Sequence, residues 1–386
     1  MNTKQLDQTY IANTYKRFDV VFTHGKGALL YDDAGKEYID FGGGIAVNTF
    51  GIGDDAWADA VCAQVKKLQH ISNLYFTEPQ AELAKMICAR TGAKKVFFSN
   101  SGAEANECMI KAARKYANDK GKSTNIITLK NSFHGRTIAT LSATGQDTYH
   151  KDFGPFLDGF FHAEPNDIQA MRELAAQVDP CAIMIELIQG EGGVCALDEA
   201  YVKELETFCK KNDILLAVDE VQTGNGRTGK LYAFQSFGIE PDIASTAKGL
   251  AGGLPIGATM FFEKTEAVLQ AGDHGSTFGG NPIAAAGACS IISRIDDTLL
   301  DDVIAKSRFI FSELHDAKGV AALSGMGLMI GILPSEAKAA DIAERCLARG
   351  LVLLTAKDRV RLLPPLNISM PELTKGLTIL KEELAK

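Results

Sequence analysis

An α/β fold built on a large, mainly parallel sheet, with a smaller α+β domain formed by the N- and C-terminal segments, is what this sequence predicts. Three observations carry that expectation. Apolar runs of strand length alternate with segments of helical period, the residues that follow each run are polar or rich in glycine, and the texture changes from about residue 300 onward. The 386 residues also exceed what one hydrophobic core usually accommodates, so two domains are expected.

The elements follow in order. "GALLYDDAGKEYIDFGGG" (27–44) reads as strands joined by a D-x-G turn, expected to pack with the C-terminal part. "KKVFFSN" (94–100) runs into a helix, "TNIITLK" (124–130) into "NSFHGRT", and "CAIMIELI" (181–188) into "QGEGG". "DILLAVDE" (213–220) runs into "VQTGNGRTG", and "PDIAST" (241–246) leads to Lys248. Parallel α/β sheets bind ligands beyond the carboxyl ends of their strands, so these ends point to one shared site. Later come a helix over "DDVIAKSRFIFSELHDAK" (301–318), apolar runs around "SGMGLMIGI" (324–332), a further helix, and "GLVLLTAKDRVRLLPPLNIS" (350–369). A final helix opens on Ser369-Met370-Pro371-Glu372, a capping box with proline in the first turn. The expected divisions are an N-terminal segment, 1–55, joining the small domain, a large domain, 56–295, and a C-terminal small domain, 296–386.

A formal net charge of −8 argues against nucleic acid or an anionic membrane as partner. The N-terminus has no apolar leader and no run reaches the ~18 apolar residues of a membrane span, so a cytoplasmic location is expected. The eight cysteines have no CxxC spacing, and the seven histidines form no HxH or HxxxH pair. Reduced, packed thiols and no metal site are the reading.

Lys248 is the only charge in "DIASTAKGLAGGLPIGATMFF" (242–262) after Asp242. Its ammonium is strongly hydrated, so it either snorkels or reacts. "NSGAEANECMIKAARKY" (100–116) has apolar residues at 105, 108, 109, 112, 113 and 116, an amphipathic helix starting near Ser101. A capping box of Ser101 and Glu104 would account for its start. The alternative is that Ser101, Gly102 and Ala103 present backbone N–H groups to a phosphate at the positive end of the helix. No GK[ST] follows, so this is not a Walker loop. Asp219 follows "ILLAV" at the mouth of a buried strand, where it either caps or pairs ordinarily, or partners a buried cationic N–H. A lysine that forms an imine and an aspartate that pairs with a pyridinium nitrogen are the two groups a pyridoxal phosphate enzyme requires. Phe133, just past a strand end, is either core or a flat cover for a flat ring. Arg136 and Arg361 are either surface ion pairs or bidentate clamps for carboxylates.

The runs "NSGAEANE", "FHGRT", "QGEGGV", "DEVQTGNGRTG", "AKGLAGGLPIGA", "GDHGSTFGGNP", "GMGLMIG" and "RLLPPLNI" span residues 100–368. In that order they resemble class III pyridoxal-phosphate aminotransferases, most of all the acetylornithine aminotransferase group; "GKEYIDFGGGIAVN" also fits. The resemblance implies the fold type I of pyridoxal-phosphate transferases and a homodimer with shared active sites. It implies Lys248 as Schiff-base lysine and proton carrier, and Asp219 as the group that keeps the ring nitrogen protonated. Ser101, Gly102 and Ala103 would hold the phosphate, Phe133 and Val221 would cover the two ring faces, and Gln222 would sit near the ring hydroxyl, with Glu220 among the cofactor residues. Thr277 would reach the phosphate of the neighbouring subunit's cofactor, and Ser276 would line the substrate site.

Arg136 would take the donor's α-carboxylate and Arg361 a second carboxylate, with Glu191 pairing with Arg361 for an ornithine-type donor and swinging away for glutamate or 2-oxoglutarate. Gly44, where ornithine aminotransferases carry a nearby tyrosine, would leave room for an acyl group. The implied reaction moves the δ-amino group of N-acetyl-L-ornithine to 2-oxoglutarate, in arginine biosynthesis. Succinylornithine, ornithine and 4-aminobutyrate aminotransferases share much of the pattern. An aminomutase of the same fold or a non-catalytic cofactor-binding protein are the rivals from other classes. One departure is "FGIGDDAW" (50–57), where the family has a glycine–histidine–cysteine–histidine–proline stretch. It spares the cofactor set and leaves the geometry of that loop open.

Overall fold

The computed structural model describes residues 1–386. Near the N-terminus, β1 (Phe22–Lys26), β2 (Leu29–Asp32) and β3 (Glu37–Asp40) form an antiparallel meander. The D-x-G turn between β2 and β3 is held by Asp32, whose Oδ1 accepts the N–H groups of Ala34 and Lys36, while Gly35 takes φ +79°.

The chain then builds the large sheet from β4 (Lys95–Ser99), β5 (Asn125–Leu129), β6 (Phe160–Ala163) and β7 (Pro180–Ile185). A short hairpin of β8 (Ile188–Gln189) and β9 (Cys195–Ala196) interrupts before β10 (Leu215–Asp219), β11 (Ile243–Thr246) and β12 (Gly257–Phe261) complete it. The order across the sheet is β4-β12-β11-β10-β7-β5-β6. Only β12 runs antiparallel to its neighbours. Every residue of β7, β10 and β11 is buried, which is why these strands read as continuous apolar runs rather than alternating ones. Because β4, β5, β7, β10 and β11 run the same way, the polar segments after them open on one edge of the sheet.

The C-terminal strands are β13 (Val320–Met326), β14 (Met329–Pro334), β15 (Leu351–Val352), β16 (Leu354–Ala356) and β17 (Arg359–Leu362). They make a second sheet, β13-β14-β17-β16, while β15 joins the N-terminal meander by pairing parallel to β3. Residues between 28 and 41 and between 303 and 384 accordingly share one apolar core, separate from those on the two faces of the large sheet. No helix is long and apolar enough to cross a membrane.

Local chemistry sets the helix starts. Ser101 Oγ accepts the N–H of Glu104 at 3.1 Å, and the helix runs Gly102–Asp119 with its apolar stripe buried. Ser369 and Glu372 form the reciprocal box at the head of the last helix, Met370–Leu384. The unusual stretch 50–57 also resolves into a cap. Asp54 accepts the N–H of Trp57 at 2.8 Å, opens the helix Asp55–Lys67 and is clamped by Arg294 at 2.8 Å. Trp57 in turn donates its Nε1–H to Ala251 O at 2.8 Å, propping the segment that follows Lys248.

After β3 the backbone turns left-handed over Gly43, Gly44, Ile45 and Ala46, with φ of 53°, 62°, 63° and 62°. Asp40 Oδ1 accepts the N–H groups of Gly42 and Gly43 at 2.8 and 2.9 Å and fixes the entry. A Cβ at Gly43 would lie 2.4 Å from Leu363 O, and a Cβ at Gly249 would lie 3.2 Å from Ala46 O. The turn is therefore wedged between the C-terminal segment and the residue after Lys248. An L-residue in this region costs ~1–2 kcal/mol, and the β-branched Ile45, 42% exposed, has only partial packing to offset it. Ile45→Gly is expected to move the denaturation midpoint up, by ~0.5–1 kcal/mol after the glycine's extra unfolded-state freedom. Ordinary truncation of an apolar side chain would move it down, so the sign in a urea titration decides.

Candidate active site

The site is built from strand ends. Asp219 closes β10 and is buried, 4% exposed. Its Oδ2 accepts from Asn106 Nδ2 at 2.7 Å and lies 2.8 Å from His134 Nδ1; its Oδ1 accepts the N–H of Val221 at 3.0 Å. A carboxylate is acceptor-only, so His134 carries its proton on Nδ1. His134 Nε2 and Asn106 Oδ1 are then buried without a partner. Asn106 also donates to His134 O at 2.8 Å, tying helix, loop and strand end together.

Val221 presses on the head of the helix: a Cβ at Gly102 would lie 2.6 Å from its Cγ1. Gly135 closes the same corner, where a Cβ would meet Thr140 Oγ1 at 2.5 Å and Ala103 Cβ at 2.9 Å. The Gly102 and Ala103 N–H groups make no hydrogen bond within the chain, and Ser101, Gly102 and Ala103 are only partly buried. Free donors at the positive end of an 18-residue helix are an anion cradle that a side chain would fill.

Lys248 follows β11 with φ +43°, a conformation a non-glycine residue adopts only when its surroundings force it. Burial lowers the proton affinity of its amine, opposed through space by Glu191 and reinforced by Arg361. Asp219 and Glu186 also face it, and both raise it.

Arg361, on β17, is almost wholly buried and donates through Nη1 to Glu191 Oε1 at 2.6 Å and Gln222 Oε1 at 3.1 Å. Burial would raise the Glu191 carboxyl, but Arg361 outweighs it and holds it below the usual range. Arg136 is exposed, its guanidinium 4.8 Å from the Tyr149 ring centroid and 5.9 Å from that of Phe133.

Within one chain the structure thus gathers Ser101, Gly102, Ala103, Phe133, Arg136, Glu191, Asp219, Val221, Gln222, Lys248 and Arg361. Ser276 lies to one side, its Oγ accepting from Asn100 Nδ2 at 3.1 Å, and Thr277 is exposed beside the exposed Phe278. Glu220 is a correction. Strand alternation turns it away from Asp219 and Val221, and its carboxylate accepts from Phe234 N–H and Thr223 Oγ1. Burial pushes it up to about 7 against those hydrogen bonds, and nothing aims it at the site.

Four residues were not singled out from the sequence. Asn106 lies on the buried face of its helix, and His134 is the neighbour of Phe133. Tyr149 is half-buried, its ring 5.3 Å from that of Phe133, and it senses Glu191, Arg136 and Arg361 through space. Glu186 accepts the N–H of Phe133 at 2.8 Å and of Gly190 at 3.2 Å, and burial pushes its carboxyl up. A carboxylate after "CAIMI" is the same signal that marks Asp219, and it could have been found that way.

A buried aspartate with its donors already placed, a free N–H cradle bounded by Val221, and an unpaired lysine in a forced backbone conformation fit pyridoxal phosphate. Fold and site define a pyridoxal-phosphate-dependent aminotransferase. The model of the "Aminotransferase class-III" family matches residues 10–384, and the chain belongs to that family. It is 49% identical to the acetylornithine aminotransferase of Haemophilus ducreyi, covering 99% of this chain and 98% of that one. It is 42% identical to the succinylornithine transaminase of Yersinia pseudotuberculosis, over 97% of this chain and 94% of that one. Among solved structures, the Toxoplasma gondii ornithine aminotransferase, described with partial occupancy of PLP at its active site, superposes with a TM-score of 0.93 at 30% identity, covering 99% and 93% of the two chains.

Proposed function

We propose that the protein transfers the δ-amino group of N-acetyl-L-ornithine to 2-oxoglutarate, giving N-acetyl-L-glutamate 5-semialdehyde and L-glutamate in arginine biosynthesis. The observation that carries this reading is the Arg361–Glu191 pair at 2.6 Å beside Lys248. An enzyme that alternates between a donor with one carboxylate and an acceptor with two needs a second cation that can be neutralised and released. The absence of a side chain at Gly44 and the identity to the Haemophilus ducreyi relative support an acylated donor. Succinylornithine is the second reading, supported by the Yersinia relative.

Bound pyridoxal phosphate supplies an electron sink for the charge left on the carbon that carries the transferred amine. The chain's own groups do the rest. The Lys248 amine takes the proton from that carbon, helped by the burial that disfavours its charged form. Asp219, held by His134, Asn106 and the Val221 N–H, offers a fixed negative charge to a ring N–H. The Gly102 and Ala103 N–H groups would hold the phosphate, Phe133 and Val221 would cover the ring and exclude water, and Gln222 would stand near its hydroxyl. Arg136 orients the donor's α-carboxylate.

Glu191→Ala should harm the acetylornithine half-reaction more than the glutamate one, because Arg361 is left free to clamp the α-carboxylate of ordinary amino acids. The ratio of the two single-turnover rates should shift by about ten- to a hundredfold, the worth of one charge-assisted hydrogen bond. An unchanged ratio would sink the reading and send donor selection to Gly44, Ile45 and Arg136.

The working unit of this reading is a homodimer in which Thr277 reaches the neighbouring subunit's phosphate and Ser276 lines its substrate site. It is supported by the largely exposed Leu74, Tyr75, Phe76 and Phe278, an apolar patch flanking Thr277 that suits burial against a second copy. A cytoplasmic location is supported by eight cysteines that are all free.

A further inference from the structure

We propose that Arg359 is the second berth for Glu191: the partner its carboxylate takes on leaving Arg361, so that Arg361 is free for the distal carboxylate of a dicarboxylic 2-oxoacid. The inference rests on the reading of Glu191 and Arg361 as a switch and supplies the half of it the structure does not display.

The geometry begins with strand alternation. On β17, Val360 and Leu362 are wholly buried in the C-terminal core, which fixes the direction of the other two side chains. Arg359 and Arg361 therefore share the opposite face, about 6.5–7 Å apart along the strand. Of these two guanidinium groups only Arg361 has a carboxylate partner; Arg359 Nη1 is buried with no hydrogen-bond partner at all. Arg359 as a whole is only partly buried, but a guanidinium cannot shed its charge, and its enclosed, unpartnered Nη1 is a donor open to an anion.

The anion within reach is on the loop that passes over it. A Cβ built at Gly193, two residues beyond Glu191, would lie 3.8 Å from both Cδ and Nε of Arg359. That loop is pinned along its backbone. Gly190 N–H is held by Glu186 at 3.2 Å, Val194 is buried in the core, and Gly192 lies so close to its neighbour that a Cβ there would be 2.6 Å from Asn131 O, so the exchange falls to the long side chain of Glu191. The receiving strand is steadied at its hairpin tip, where Lys357 Nζ donates to Asn131 Oδ1. Glu191 can thus exchange one arginine for its neighbour on the same strand face without displacing either element.

The energetic consequence follows from two-state competition. A dicarboxylate binds only the fraction of molecules in which Arg361 is free, so a berth that stabilises the displaced Glu191 raises that fraction and the apparent affinity with it. Arg359 acts through Glu191 and is a positioning residue.

The test is a double-mutant cycle read by two observables on the holoenzyme: calorimetric affinity for glutarate, a dicarboxylate with no reacting group, and KM for 2-oxoglutarate against KM for N-acetylornithine. Arg359→Gln should weaken glutarate binding about five- to tenfold and raise the KM ratio by the same factor, while Arg359→Lys, which keeps the cation, should recover most of it. In the Glu191→Ala background Arg359→Gln should have no further effect on either. If Arg359→Gln weakens glutarate equally with and without Glu191, Arg359 binds the anion itself and the berth is wrong. If Glu191→Ala shifts donor selection but Arg359→Gln changes nothing, the berth falls and the switch stands; if Glu191→Ala also changes nothing, both fall.

Discussion

Lys248→Ala is expected to abolish transamination, by at least about 10³–10⁴-fold in single-turnover rate, while leaving a folded protein that still holds the cofactor noncovalently. Borohydride should fix the cofactor on Lys248 in the natural protein, as mass mapping of peptides would show, and should fix none in the variant. The expectation rests on three independent features. Lys248 is the lone charge of its segment after Asp242, it stands at φ +43° just past β11, and burial and through-space charges, not hydrogen bonds, act on its amine. A lysine that merely snorkelled would have no reason to be held in that conformation. A covalent label on any other lysine would refute the assignment.

Asp219→Asn should lose about 10²–10³-fold in turnover, or roughly 3–4 kcal/mol of transition-state stabilisation. The substitution keeps the shape and removes the charge. It also disturbs the hydrogen bonds: an amide that keeps its oxygen toward His134 and Asn106 sets its own N–H against the Val221 N–H, and one turned the other way meets the His134 Nδ1–H. In either orientation His134 Nδ1–H no longer faces a charged acceptor, so the loss should come with a second sign independent of turnover, an upfield move or disappearance of the downfield His134 Nδ1 proton resonance in the magnetic resonance spectrum. Near-normal turnover with that resonance so changed would show that the carboxylate only packs.

Several elements were legible because their signals are local. The D-x-G turn of 32–35, the cap at Ser101, the box at Ser369 and Glu372, and the buried strands that deliver Asp219 and Lys248 each follow from a few neighbouring residues. Convergence was legible for the strand ends, since parallel strands put their ends on one edge. What escaped depends on direction and distance. Glu220 differs from Asp219 only in the phase of a strand, and phase at a strand's last residue is set by what packs beyond it, here the N–H of Phe234. His134, Asn106 and Tyr149 gain their roles from contacts across the fold, and no periodicity marks them. Trp57 props the Lys248 segment from 194 residues away. Ile45 and Ala46 stand in a region their own preference disfavours, so tertiary wedging alone places them there.

That left-handed turn has a consequence of chirality. Its cost comes from the handedness of the amino acids rather than from the bulk of any side chain, since the mirror-image enantiomers of isoleucine and alanine would rest there without strain. Among the genetically encoded residues asparagine and aspartate lower the penalty, but only glycine escapes it altogether, and it does so by giving up the rigidity that holds the turn against Leu363 and Gly249. Inheritance can therefore keep a stiff, taut corner or a relaxed, loose one at positions 45 and 46, but not a stiff and relaxed one. Chemical synthesis, which can place a D-residue there, is under no such restriction.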